Sequence, residues 1–179
     1  MSMEHKAFVF DYDSFTNELA RLLRHSLESG HTGGLVDFVE AQRESLTDPY
    51  EGEPLDDDWR DMVETGDAHT YGDFALTKYY DPAEDLGLGY DWEEAETLLD
   101  GELGAGAPLV LGSPFGPEGD PFDPGKMGSY FRSPAEVREH LARLERLSSE
   151  KPELAEKLRP LSETLRRAAD AGRGLYVTF

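Results

Sequence analysis

Ser133-Pro134-Ala135-Glu136 constrains the fold more than any other stretch of this chain. A capping serine, a proline in the first turn and a glutamate three residues on satisfy the free N–H groups of a helix start reciprocally. A helix therefore begins at 134, and Val137, Leu141, Leu144 and Leu147 give it one apolar stripe. Pro152 opens a second helix with Leu154, Leu158, Leu161 and Leu165 inward, which Pro160 is expected to bend or divide. Gly172 ends it, and the segment 174–179 (Gly-Leu-Tyr-Val-Thr-Phe) reads as a closing strand. The helical part 133–172 and this strand must find their partners earlier in the chain.

Those partners are visible in outline. Ala7-Phe8-Val9-Phe10 reads as a buried strand running into Asp11-Tyr12-Asp13. Phe15, Leu19, Leu22, Leu23 and Leu27 follow at helical spacing, with Asp13 or Ser14 as N-cap and Gly30 as the stop. A second amphipathic stretch follows Gly33-Gly34. Residues 48–54 form a loop, and Asp56-Asp57-Asp58 suit the start of a short helix through Trp59, Met62 and Val63. Asp73–Tyr80, rich in aromatic residues, is expected as a strand. Asp91-Trp92-Glu93-Glu94 opens a helix that Gly101 should end, and Pro108–Leu111 suits a buried strand or an extended segment. Residues 112–128 are a long loop rich in glycine and proline. The sum is an α+β fold: a small mixed sheet packed with several amphipathic helices in one compact domain, 1–179. At this length folding buries roughly 70% of the unfolded surface, so no covalent staple is required.

Charge divides the chain unevenly. The net charge is −21, but residues 51–128 hold 21 acids against 3 bases, while residues 129–179 hold 8 acids and 10 bases. The acidic, loop-rich middle (48–128) repels phosphate backbones, which excludes ordinary nucleic-acid binding. Solubility and adaptation to high salt also produce acidity. Salt adaptation, however, acidifies every exposed helix, whereas the C-terminal helices are slightly basic. A localised acidic face for a basic protein partner fits better, as in an immunity or inhibitor protein or a nucleic-acid mimic. Its candidate residues are Asp56, Asp57, Asp58, Trp59, Asp61, Glu64, Tyr90, Trp92 and Glu93, acids set around rigid aromatics. With no cysteine, disulfides, thiolate metal sites and cysteine nucleophiles are all excluded. No secretory signal and no membrane-length apolar run is visible, so a cytoplasmic protein is expected.

Asp11-Tyr12-Asp13 at the end of a strand is the main enzymatic alternative. Carboxylates two residues apart can share a divalent cation. The pair is similar to the first motif of haloacid-dehalogenase-like phosphatases, which implies Asp11 as nucleophile, Asp13 as general acid and Mg²⁺ between them. Ser14 stands where that motif has glycine; Lys78 and the Asp120/Asp123 pair are the residues such an enzyme would recruit. The alternative role for Asp11 and Asp13 is helix capping. Asp120 and Asp123 are also weak metal candidates, better explained as turn formers. His5, His25, His31, His69 and His140 fall in no metal-binding spacing, and no cofactor is expected.

Residues 85–179 resemble the YfbM-like family of uncharacterised bacterial proteins. The shared order is a tryptophan-bearing helix ending in Leu98-Leu99-Asp100-Gly101, then Pro108-Leu109, the Gly/Pro-rich loop, Ser133-Pro134-Ala135-Glu136-Val137, and Ala168-Ala169-Asp170-Ala171-Gly172 before a closing strand. The chain departs at Glu93, where the family carries histidine. The resemblance implies a compact α+β fold and no particular reaction.

Overall fold

The computed structural model describes residues 3–63, 66–106 and 108–179. Three short strands, β1 (Lys6–Phe10), β2 (Ser129–Arg132) and β3 (Gly174–Thr178), form a sheet in the order β1-β3-β2. The sheet, expected as mixed, is antiparallel in both pairings, with Phe8 and Phe131 flanking Tyr176 in one cross-strand row. The end of the chain is thus the central strand.

Alternation along the strands gives the sheet two apolar faces. Phe8, Phe10, Phe131 and Tyr176 point to one, where helices α1 (Tyr12–Glu18), α2 (Ala20–Ser29), α3 (Gly33–Gln42) and α4 (Ala68–Leu76) pack. Val9 and Leu175 point to the other, beneath α5 (Trp92–Leu103), α6 (Pro134–Glu150) and α7 (Pro152–Asp170). Two helical layers therefore enclose one thin sheet, an α+β architecture in one compact domain.

The capping box forms as expected. The Ser133 hydroxyl accepts from the Glu136 N–H at 3.2 Å, and the Glu136 carboxylate accepts from the Ser133 N–H at 3.0 Å. Pro160 does not divide α7, which runs unbroken from Pro152 to Asp170. The first helix is capped by Asp11, not by Asp13 or Ser14, and is interrupted at Leu19, where α2 begins.

Four expectations change. Asp73–Tyr80 is not a strand, because Asp67 caps a helix from Ala68 to Leu76. That helix is buried nearly all round, so it shows no amphipathic period to set against its aromatic content. Asp56–Val63 yields only a 3₁₀ turn, Trp59–Met62. Pro108–Leu111 is a turn held by the buried Arg132, whose guanidinium donates to the Leu109 carbonyl at 2.6 Å. Gly101 lies inside α5, and the helix stops at Gly104, whose φ of +88° favours glycine.

His5, just ahead of β1, holds the same turn. Its Nδ1 accepts from the Leu88 N–H at 3.0 Å, leaving Nε2–H to donate to the Val110 carbonyl at 3.3 Å. Burial holds the imidazole neutral, its pKa pushed down to about 4.

Two glycines should respond oppositely to alanine. At Gly174 a Cβ would lie 2.1 Å from the Arg132 carbonyl oxygen, whereas at Gly101 it meets nothing within 4 Å. Gly174→Ala should destabilise the chain by more than about 2 kcal/mol, while Gly101→Ala should stabilise it by roughly 0.5–1 kcal/mol. Urea denaturation of the two variants checks both signs.

Candidate functional site

The acidic middle divides into two parts with different surroundings. Three of the acids on and before α5 find bases on or beside α7: Glu84 faces Arg167 at 3.9 Å, Glu94 faces Lys157 at 3.7 Å, and Glu102 pairs with Lys151. This explains the slightly basic C-terminal helices: they partly neutralise a neighbouring acidic layer.

The loop 47–61 is treated differently. Among the described residues, Asp48, Glu51, Glu53, Asp56, Asp58 and Asp61 have no ion-pair partner; Asp57 pairs with Arg43, and Arg60 reaches Glu40 at 3.3 Å. The loop is ordered by its own bonds. Asp48 Oδ1 accepts from the N–H groups of Tyr50 at 2.8 Å and Glu51 at 2.9 Å, while Thr47 and Pro54 form a bridge. The Thr77 hydroxyl accepts from the Thr47 N–H at 3.1 Å, tying the loop to the end of α4. Tyr50 is consequently held out at 74% exposure. Beside it Asp48, Glu51, Glu53 and Asp56 line a groove of about 370 Å³ with Met62, itself 55% exposed.

Of the residues expected at an acidic face, Asp56, Asp57, Asp58, Asp61, Tyr90 and Glu93 are exposed. Tyr90 and Glu93 belong with α5, in the other helical layer from Asp56–Asp61. Glu64 lies outside the described residues. Trp59 and Trp92 are corrected: both are buried and serve as anchors. The Trp59 Nε1–H donates to the Glu40 carboxylate at 2.9 Å, its ring edge-on to Phe74; the Trp92 Nε1–H donates to the Met3 carbonyl at 2.8 Å. The exposed side chains beside the unpaired acids are Tyr50 and Met62, which composition did not single out.

Asp11 accepts from the Ser14 N–H at 3.3 Å as the cap of α1 and lies 4.0 Å from Arg173, while Asp13 is exposed in the first turn. Lys78 pairs with Glu18 at 2.8 Å. Asp120 and Asp123 tie the long loop to α4: His69 Nε2 meets Asp120 Oδ1 at 3.1 Å, and Nδ1 accepts from the Asp123 N–H at 3.0 Å. Among the described residues no three histidine, aspartate or glutamate side chains converge as metal ligands.

Among the described residues, one acid of the middle is buried. Asp73, on α4, is 7% exposed, and desolvation raises its pKa to about 7. The expected strand hid this residue, because a strand boundary gave no reason to look for an acid in the core.

Comparison with family models, curated proteins and solved structures returns no match.

The folded chain holds a proton on Asp73 up to about pH 7, whereas the unfolded side chain loses it near 3.8. Folding takes up that proton between the two values, so this group's contribution to stability falls as pH rises through the window. Asp73→Asn should therefore be more stable than the parent at about pH 8, by on the order of 3 kcal/mol, and lose the advantage near pH 4. Chemical denaturation at the two pH values decides it.

Proposed function

We propose that this protein is a non-catalytic binding module that presents the acidic loop 48–61 to a basic surface of another protein. The observation that supports it is the pairing pattern. Three acids near α5, Glu84, Glu94 and Glu102, have counter-ions on or beside α7, while in the loop, among the described residues, only Asp57 has one and the unpaired acids surround a groove with Met62. Uncompensated charge around exposed apolar side chains suits an interface in which charge steers the encounter and apolar contacts hold it. An immunity- or inhibitor-like role, or mimicry of nucleic acid, fits that face. Among the described residues, no helix is long and apolar enough to cross a membrane.

A hydrolase using Asp11 and Asp13 is the weaker proposal, since the Asp11 side chain already caps α1 and Lys78 faces Glu18. The kinship of residues 85–179 with YfbM-like proteins is likewise a proposal and adds no activity.

A lysine decapeptide titrated into labelled protein tests the binding face. Amide shifts should concentrate at 48–62 and largely vanish between about 50 and 300 mM salt, as for an exposed charged surface. Asp56→Lys with Asp58→Lys should weaken binding by about ten-fold, and Glu93→Lys with Glu94→Lys by far less. Equal shifts over α5 and the loop would refute the assignment.

A further inference from the structure

Asp73 borders a cavity of about 230 Å³ between α4, the aromatic face of the sheet and two loops. Phe8 and Tyr176 come from β1 and β3, and Tyr80 follows α4. These three rings pack on one another, with centroids 4.8 Å apart for Phe8–Tyr80 and 5.3 Å for Tyr80–Tyr176. Tyr50, itself exposed, and Pro124-Gly125 of the long loop complete the lining. The cavity is thus built by elements on which the fold depends.

We propose that this cavity is a binding site for a primary ammonium group, seated against the Asp73 carboxylate among the tyrosine rings. Three observations converge on a cation. First, Asp73 is more than nine-tenths buried and, among the described residues, has no ion-pair partner. Lys6 of β1 borders the same cavity without pairing with it. A carboxyl so placed either keeps its proton or takes a positive partner, and an alkylammonium supplies one with three N–H donors. Second, half of the other lining residues, Phe8, Tyr50, Tyr80, Tyr176 and Phe179, are aromatic, and ring faces attract cations that have left water. Third, the mouth lies beside the unpaired acids of loop 48–61, whose field draws cations and repels anions. The volume is small for a drug-sized ligand and suits a single alkylamine arm.

The groups facing Asp73 sharpen the pH dependence. Burial is the main cause that raises the Asp73 pKa; the nearby Tyr50 hydroxyl lowers it, and the negative charge of Asp48 in the loop raises it further. Tyr80 and Tyr176 stay protonated, their pKa values raised chiefly by burial. Asp73 is therefore the group that changes charge near neutrality, and the site should hold an ammonium only in its ionised form. The ammonium source is a free small amine or a lysine side chain of a partner, and the site stands whether or not the acidic loop is a docking surface.

The test uses n-butylamine and Nα-acetyl-lysine-N-methylamide as probes, with butyrate as the opposite-charge control, followed through the Asp73 carboxyl carbon and the tyrosine ring signals. Butylamine should saturate these signals, lower the Asp73 midpoint and lose about ten-fold in affinity between about pH 8 and pH 6. Asp73→Asn should remove that pH dependence and most of the binding. Tyr50→Ala, at an exposed position, should weaken binding several-fold with the fold intact, so the test survives if Asp73→Asn fails to fold. Binding of both probes points to a free amine as a sufficient ligand; binding of the lysine derivative alone points to a partner's side chain. Saturation by butyrate, or no movement of the Asp73 signal with either amine, overturns the proposal. Neither result touches the decapeptide shifts at 48–62, so failure of the cavity and failure of the acidic face are distinguishable.

Discussion

The fold depends on one row of aromatic rings across the sheet. Tyr176 sits at the centre of β3, between Phe8 on β1 and Phe131 on β2, with its ring stacked on Phe131 at 5.0 Å. Phe10 and Phe15 extend the layer, Phe15 lying nearly parallel to Phe131. A three-stranded sheet of four- and five-residue strands has few ladder hydrogen bonds, so these ring contacts supply much of what joins its strands. Because β3 ends the chain and is central, no pair of strands can form before it arrives. Pairing β1 with β3 also closes a loop of nearly the whole sequence, a long-range contact of the kind that slows folding.

The two helical layers stand in different electrostatic situations. On one side Glu84, Glu94 and Glu102 meet bases on or beside α7, so the acidic layer around α5 is compensated in part. Such pairs are exposed and contribute little stability individually, and they leave Glu93, Glu96 and Asp100 of α5 without a counter-ion among the described residues. On the other side the loop after α3 keeps its charge. That loop also bears Tyr50 and Met62, both exposed, on a backbone fixed through Asp48 and Thr77.

Where the sequence declared the structure, it did so through local chemistry. The Ser133 capping box, the Gly30 stop, the first strand and the last one all satisfy backbone groups or period rules within a few residues. What stayed hidden depended on the other layer. The helix Ala68–Leu76 is enclosed by the core and lost its periodicity; the turn at 108–111 is ordered by Arg132 from β2; β2 itself is four residues long and follows a glycine-rich loop. Trp59 and Trp92 looked like interface anchors because aromatics among acids suggest a surface. Only the tertiary fold reveals that both rings are buried and that their N–H groups have partners on α3 and ahead of β1. Asp56, Asp57, Asp58, Asp61 and Glu93, by contrast, are exposed, since a solvated charge needs no partner.

Asp73 is where local rules and the fold disagree most. A buried carboxyl with no cation beside it weakens the folded state near neutral pH, and asparagine of nearly the same shape would not carry that cost. His5, equally buried, shows the ordinary solution: both ring nitrogens are satisfied by backbone groups and its neutral form is the stable one. Asp73 has instead a cavity, three tyrosines and a mouth beside an acidic loop. A core built only for stability would fill that space with apolar atoms. A site that must switch an aspartate between neutral and charged forms, according to what enters, requires both the burial and the opening.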